Sequence, residues 1–331
     1  MMFRWIACVS SMLLLSVSVN CGGDPSSSDS PSGRQFLSIG TAPPGGAFFV
    51  VGGALGEVLN ENRGDVNWEV TAEATKGSQE NIRRLQSGEL DLALSNSAIT
   101  YFAVRGTEGW DRAYDMRTVM TLAPNIAMFI TPVSSGVEEL ADLKGNRVVV
   151  GVAGAGFEFF VRPLLAANGV SYEDFTPLYN TQSGAVDMLA DGSAAAAFLG
   201  GAVPTASITQ ATSSQDMHFI PYTEDSKQRL VDEYPFFRPA TIPAGTYRGQ
   251  DDDFLGLDVG SMHLITSAAV DEELVYRITR TIYENRAAVT ERHAAGRAIQ
   301  PVNVTRDTGI EFHAGAIRYY KEIGIWPESD Q

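Results

Sequence analysis

Residues 66–94 read VNWEVTAEATKGSQENIRRLQSGELDLAL, and their periodicity decides the fold class. Val66-Asn67-Trp68-Glu69-Val70 alternates apolar and polar residues, as a half-buried strand does. From Ser78 to Gln86 the pattern turns helical, with Ile82 and Leu85 on one face, and Gly88 stands where a C′ glycine ends a helix. Leu90 to Leu94 then reads as a second strand. Upstream, Phe36-Leu37-Ser38-Ile39 reads as a strand, and Gly45 to Asn60 as a helix with Val51, Leu55, Val58 and Leu59 inward. The order βαβαβ implies a parallel sheet covered by helices.

The same order restarts downstream. Val148-Val149-Val150-Gly151 is expected as a strand, Gly156 to Asn168 and Thr181 to Ala190 as helices, and Ala194 to Leu199 as a strand. Leu85-Gln86-Ser87-Gly88 before Leu90–Leu94 resembles Leu189-Ala190-Asp191-Gly192 before Ala194–Phe198. Two lobes on one plan would give this echo, as would chance recurrence of common βα patterns. The long apolar segments Val119–Thr131 and Phe254–Ile265 read as crossings between lobes, with helices Asp271–Ala288 and Thr308–Glu322 returning to the first. Two crossings make a hinge, and a hinge makes a cleft. The expected division is residues 35–124 plus 250–331 in one lobe and 125–249 in the other.

Bulk composition agrees with this plan. A chain of 331 residues suits two lobes with cores, and 44% hydrophobic residues exclude a disordered chain. The net charge of −16 gives no basic stripe for nucleic acid. Cys8 and Cys21 are the two cysteines, so residues 22–331 can hold neither a disulfide, a cysteine-based zinc site nor a cysteine nucleophile. Arg4 and the apolar run Trp5–Val19 are too short for a span and fit a signal peptide over residues 1–21. Cys21 directly follows, as the lipidated residue of a bacterial lipoprotein would, although Asn20 departs from the usual small residue before it. Residues 22–34, rich in Ser, Pro and Gly, read as a flexible tether. The body is expected to be a soluble monomer, tethered to a membrane through lipid if Cys21 is modified.

Chemistry points to helix starts. Thr41–Gly46, Thr75–Ser78, Ala153–Gly156 and Thr181–Gly184 are small, flexible approaches to helices, at the carboxyl ends of strands where α/β sheets bind ligands. Glycine there brings backbone N–H groups close, and each helix N-terminus adds partial positive charge. With hydroxyls from Thr41, Thr75, Ser78 and Ser183, such loops converging from two lobes would hold a carboxylate; singly, each reads first as an ordinary capped turn, and it is their repetition in both halves that points to a site. Phe48, Phe49 and Phe157 follow the glycines as an apolar wall or as first-turn core. Enzyme signatures are weak. The histidines at 218, 263, 293 and 313 lack metal-pair spacing, no Gly-x-Ser-x-Gly elbow occurs, and Asp251-Asp252-Asp253 lacks calcium-loop spacing. No catalytic residue, metal or cofactor is assigned.

Thr71-Ala72-Glu73-Ala74-Thr75-Lys76-Gly77-Ser78-Gln79-Glu80-Asn81 resembles the TAEATGGSxEN stretch of the TAXI family of TRAP-transporter solute receptors. Further matches are Gly88–Leu94, Ala141–Val148, Ile242–Tyr247, and His313–Ala316 followed by Tyr319-Tyr320, so the resemblance covers about residues 36–326. It implies a type II periplasmic-binding-protein fold, two α/β lobes joined by a two-strand hinge with the ligand cleft between them. It also implies capture of a small organic anion, carboxylate or amino acid, for an ion-gradient-driven TRAP permease. On matching positions the ligand loop is Thr41, Gly45, Gly46, Phe48 and Phe49; further contacts are Thr75, Gly77, Ser78, Ser95, Asn96 and Ser97. From the other lobe come Gly154, Gly156, Phe157, Phe198 and Gly201.

The chain departs from the family where Phe48-Phe49-Val50 replaces Tyr-Tyr-Pro, Ala155 a common serine and Ala98 a common aspartate. These changes make the cleft less polar, and the expected ligand is more apolar than glutamate. A rival reading is a periplasmic sensor docking to a membrane receptor; an enzyme on the same fold is a third.

Overall fold

The computed structural model describes residues 34–44 and 46–327. The signal peptide, Cys21, nearly all of the tether and Gly45 lie outside them. In the first lobe β1 (Gln35–Gly40) leads through α1 (Ala47–Glu61) to β2 (Trp68–Glu73), and α2 (Ser78–Ser87) leads to β3 (Leu92–Asn96). Then come α3 (Ser97–Arg105) and β4 (Met116–Thr121), and the chain crosses to a second sheet at β5 (Ile126–Pro132). That lobe adds β6 (Arg147–Val149), α4 (Glu158–Ala167), β7 (Thr176–Leu178), α5 (Gln182–Ala190), β8 (Ala196–Gly201) and α6 (Ala206–Ser214). It continues with β9 (Met217–Phe219), α7 (Glu224–Glu233), β10 (Phe237–Ile242) and β11 (Phe254–Val259). β12 (Met262–Ser267) returns to the first sheet, followed by α8 (Glu272–Glu284), α9 (Arg286–Arg292), α10 (Pro301–Val304) and α11 (Ala314–Glu322).

The first sheet runs β2-β1-β3-β12-β4, and the second β10-β11-β5-β8-β6-β7 with β9 beside β5. The βαβαβ expectation holds for β1, β2 and β3, which are mutually parallel. β12 enters between β3 and β4 antiparallel to both, so the sheet is mixed. The return falls later than residue 250: β11 hydrogen-bonds to β10 and β5 in the second sheet, and β12 is the first strand back.

Local chemistry explains the boundaries. Gly88 takes the left-handed conformation, φ 75°, and closes α2, as its place in the sequence predicts. Trp68 is fully buried because its indole N–H finds the Leu59 carbonyl at 3.0 Å. The helix expected over Asp271–Ala288 breaks at Asn285, whose side chain donates back to the Thr281 carbonyl. The helix expected from Thr308 starts only at Ala314. Residues 311–313 instead bridge to β4, through Thr118 N–H to Glu311 O at 2.8 Å and His313 N–H to Thr118 O at 2.9 Å.

One side chain orders the first lobe for what it carries. The amide of Asn81, fully buried, donates to Thr41 O at 2.7 Å and Leu94 O at 2.8 Å, so α2 is tied to the ends of β1 and β3. The lobes also share an apolar seam: Phe102 of α3 lies 5.8 Å from Phe159 of α4 and 5.7 Å from Phe236, centroid to centroid. Asn81→Ala removes both bonds, leaving the Thr41 carbonyl only the Thr75 hydroxyl, and is expected to cost roughly 1–3 kcal/mol in chemical denaturation; a loss below about 1 kcal/mol would show that the amide is not the tie between these loops.

Candidate functional site

The candidate cleft lies where the carboxyl ends of β1, β2 and β3 face the loops after β6, β7 and β8. The in-register pairs Gly40–Glu73 and Gly40–Ala93 bring the three first-lobe loops side by side. Across the gap, a Cβ added to Gly77 would lie 4.0 Å from the Ala155 carbonyl. A Cβ on Gly156 would meet Ile99 Cδ1 at 2.6 Å and Gln79 Cγ at 3.3 Å. Both glycines have positive φ, 110° and 96°, so the close approach and the backbone conformation select glycine together. The start of α2 and the loop before α4 therefore touch.

Three helices open here without a side-chain cap: α1 after Gly46, α2 after Gly77 and α4 after Phe157. Their leading N–H groups are not answered by a Ser, Thr, Asp or Asn oxygen, which leaves partial positive charge at the cleft from both lobes. α3 and α5 differ. Asn96 Oδ1 accepts from Ala98 N–H at 2.8 Å, and Thr181 Oγ1 from Gly184 N–H at 3.1 Å.

The hydroxyls read as ligand groups are largely spent inside the protein. Thr41 Oγ1 donates to Glu73 O at 2.7 Å, and Thr75 Oγ1 donates to Thr41 O at 3.0 Å while accepting from Gly77 N–H. Ser78 Oγ accepts from Asn96 N–H at 3.0 Å, and Ser95 Oγ meets Thr100 Oγ1 at 2.8 Å. These residues set the loops' shape. Ser97 differs: it is fully buried at the start of α3 with its Oγ unpartnered. Phe48, Phe49 and Phe157 are half-buried. Gly154, φ 72°, and Ser183 are exposed, and Gly201, φ 153°, ends β8. Phe198 is corrected: it is buried in the second sheet's core, 5.0 Å from Phe129 and 5.9 Å from Phe160, so it is no wall of the cleft. Lys76 is exposed.

Beside the cleft, the hinge carries a polar cluster that the sequence reading missed. The two links, 122–125 and 260–261, run antiparallel: Leu122 N–H bonds Met262 O, Met262 N–H bonds Ala123 O, and Val259 N–H bonds Asn125 O, all within 2.9 Å. Asp258, with 2% of its surface exposed, meets Arg306 there. Burial raises the carboxyl above its usual range and lowers the guanidinium, with the ion pair opposing both. His263 is fully buried, its Nε2 2.8 Å from Thr100 Oγ1; burial first, then the positive field of Arg306, pushes it down to about 3. Asp258 and His263 interrupting the apolar run Phe254–Ile265 were the local signals of this cluster. Among the described residues no group of three His, Cys, Asp or Glu is set to hold a metal, and no helix is long and apolar enough to cross a membrane.

Two α/β lobes hinged by two strands around a cleft define the type II periplasmic-binding-protein fold. The chain belongs to the NMT1-like family, whose model matches residues 39–324. Among solved structures it is similar to PhnD1 from Prochlorococcus marinus in complex with methylphosphonate, at 12% identity and TM-score 0.56, over 88% of this chain and 96% of that one. A Xanthomonas citri protein bound to ATP matches at 10% identity and TM-score 0.53, over 87% and 95%. The periplasmic aliphatic sulphonate binding protein SsuA from Escherichia coli matches at 12% and 0.45, over 80% and 77%.

His263 yields a pH test. Its folded pKa lies below the unfolded value, so the unfolded chain takes up the proton first and stability falls with pH from about 6.5 down to about 3. His263→Gln is expected to remove up to about 1.4 kcal/mol per pH unit from that slope. Denaturant unfolding of both proteins between pH 4 and 7 checks it; parallel curves would contradict the buried neutral imidazole.

Proposed function

We propose that this protein is an extracytoplasmic solute-binding receptor of the TAXI group. In this reading it captures a small organic anion in the periplasm and delivers it to a TRAP permease. The observation that carries the reading is the close approach, at Gly77 and Gly156, of two uncapped helix starts, α2 from one lobe and α4 from the other, with α1 opening uncapped after β1 on the first-lobe side. Each such terminus is worth roughly 0.3–1 kcal/mol to an anion, so three contribute about 1–3 kcal/mol without any arginine in the loops. The stretch 71–81, which carries the TAXI resemblance, forms the turn into α2 that meets the second lobe. Thr41, Gly46, Thr75, Gly77, Ser78 and Ser95–Ser97 line one side in this proposal, with Gly154, Gly156, Ser183 and Gly201 opposite. Phe48, Phe49 and Phe157 hold the carbon skeleton, which favours an anion more apolar than glutamate. The lobes are residues 35–124 with the chain beyond Gly260, and the segment between. Lipid on Cys21 would tether the receptor to the membrane.

Thermal melting against carboxylates, amino acids, sulfonates, phosphonates and sugars tests the class. A ligand at a hundred times its Kd adds about 2.7 kcal/mol, several degrees in Tm. The expected outcome is a shift with apolar monocarboxylates or dicarboxylates. Shifts confined to sulfonates or phosphonates would replace the carboxylate assignment, and shifts with sugars alone would remove the anion reading. With the ligand in hand, Gly156→Ala is expected to weaken binding at least roughly tenfold by propping the lobes at Ile99 and Gln79. Titration calorimetry measures it; unchanged affinity would place the ligand elsewhere.

A further inference from the structure

The carboxylate of Asp258 stands where three segments meet. Oδ1 accepts the Asn125 N–H at 3.0 Å on the outgoing link. Oδ2 accepts the Ser261 hydroxyl at 2.5 Å on the return link and faces Arg306 Nη2 at 3.4 Å. Arg306 Nη2 also donates to Ser261 Oγ. The backbone of Arg306 belongs to the first lobe, where its carbonyl accepts the Thr121 hydroxyl of β4 at 3.0 Å. One buried acid thus fastens both links to each other and to the C-terminal segment.

A hinge opens by rotating a few backbone torsions in its links. Here those torsions are not independent. A turn at Asn125 pulls Asp258, and through it Ser261 and Arg306. The return link is fixed a second time, because Gly260, φ 111°, gives its carbonyl to Asn96 Nδ2 at 2.7 Å and Ser261 gives its own to Ser97 N–H at 2.9 Å. A Cβ on Gly260 would collide with Asn96 Oδ1, the cap of α3. Link and cleft floor therefore move as one piece.

We infer that the Asp258–Arg306 pair, with Ser261, is a hinge latch that holds the two lobes at one angle in the absence of ligand. The latch deepens the solute-receptor reading, on which its purpose rests, but its mechanics are read without any ligand. Cleaving the pair leaves an uncompensated buried charge, which draws water into the links and frees their torsions.

Spin labels at the exposed positions Phe36→Cys, in the first lobe, and Val133→Cys, in the second, report the interlobe distance by double electron–electron resonance. Cys8→Ser and Cys21→Ser in the full chain leave the labels unique. The ligand-free protein is expected to give one narrow distribution. Arg306→Met and Asp258→Asn are expected to broaden it roughly twofold or split it, and Arg306→Lys, which keeps the charge but not the guanidinium, to broaden it less. Arg292→Met, which breaks exposed pairs with Glu57 and Glu61, serves as a control and leaves the width unchanged. A broad distribution in the parent chain, or latch variants that superimpose on it, overturns the inference. Should the buried-charge variants not fold, Arg306→Lys against the parent decides. Failure to bind any anion would sink the receptor reading and leave these widths untouched.

Discussion

The two-lobed body turns on the buried carboxylate of Asp258. A lone charge at that depth is untenable, and the structure answers it with a backbone N–H, a hydroxyl and a guanidinium, each from a different segment. Removing one member of such a pair costs about 3–5 kcal/mol, far more than an exposed ion pair is worth. The energy is secondary to the geometry. Without this junction the links 122–125 and 260–261 would keep their backbone bonds but lose the side-chain tie to the C-terminal segment at Arg306.

The cleft follows a related economy. Side chains near its floor build the frame: Asn81 joins two strand ends, Thr41 and Thr75 bond carbonyls, and Ser78 holds Asn96. In the proposed reading, the groups left to face a solute are main-chain N–H groups at uncapped helix starts, with aromatic rings beside them. Recognition by backbone is indifferent to many substitutions and sensitive to any added Cβ, so glycine carries the geometry that a catalytic site would assign to functional side chains.

How much of this was legible varies by element for physical reasons. β1, α1 and α2 are amphipathic, so periodicity marks them. α3 escaped because Ser97, Ala98, Ile99, Thr100, Phe102 and Ala103 are all buried, leaving no polar face to give a helical rhythm. The glycine approaches were legible as candidate loops, whereas the inward turn of the Thr41 and Thr75 hydroxyls was not, since their partners lie over thirty residues away in the chain. Phe198 misled because a strand-end position alone does not say which face of the pleat it occupies. Asp258 and Arg306 are 48 residues apart, and no local pattern pairs them.

β12 sits between β3 and β4, yet it is made only after the whole second lobe. During synthesis the first sheet therefore cannot close: β3 and β4 wait, with unpaired edges, for a strand more than 130 residues further on. Such late, non-local closure slows folding and exposes sticky edges meanwhile. The first lobe therefore stays open until the segment that carries both the return link and Arg306 has been made.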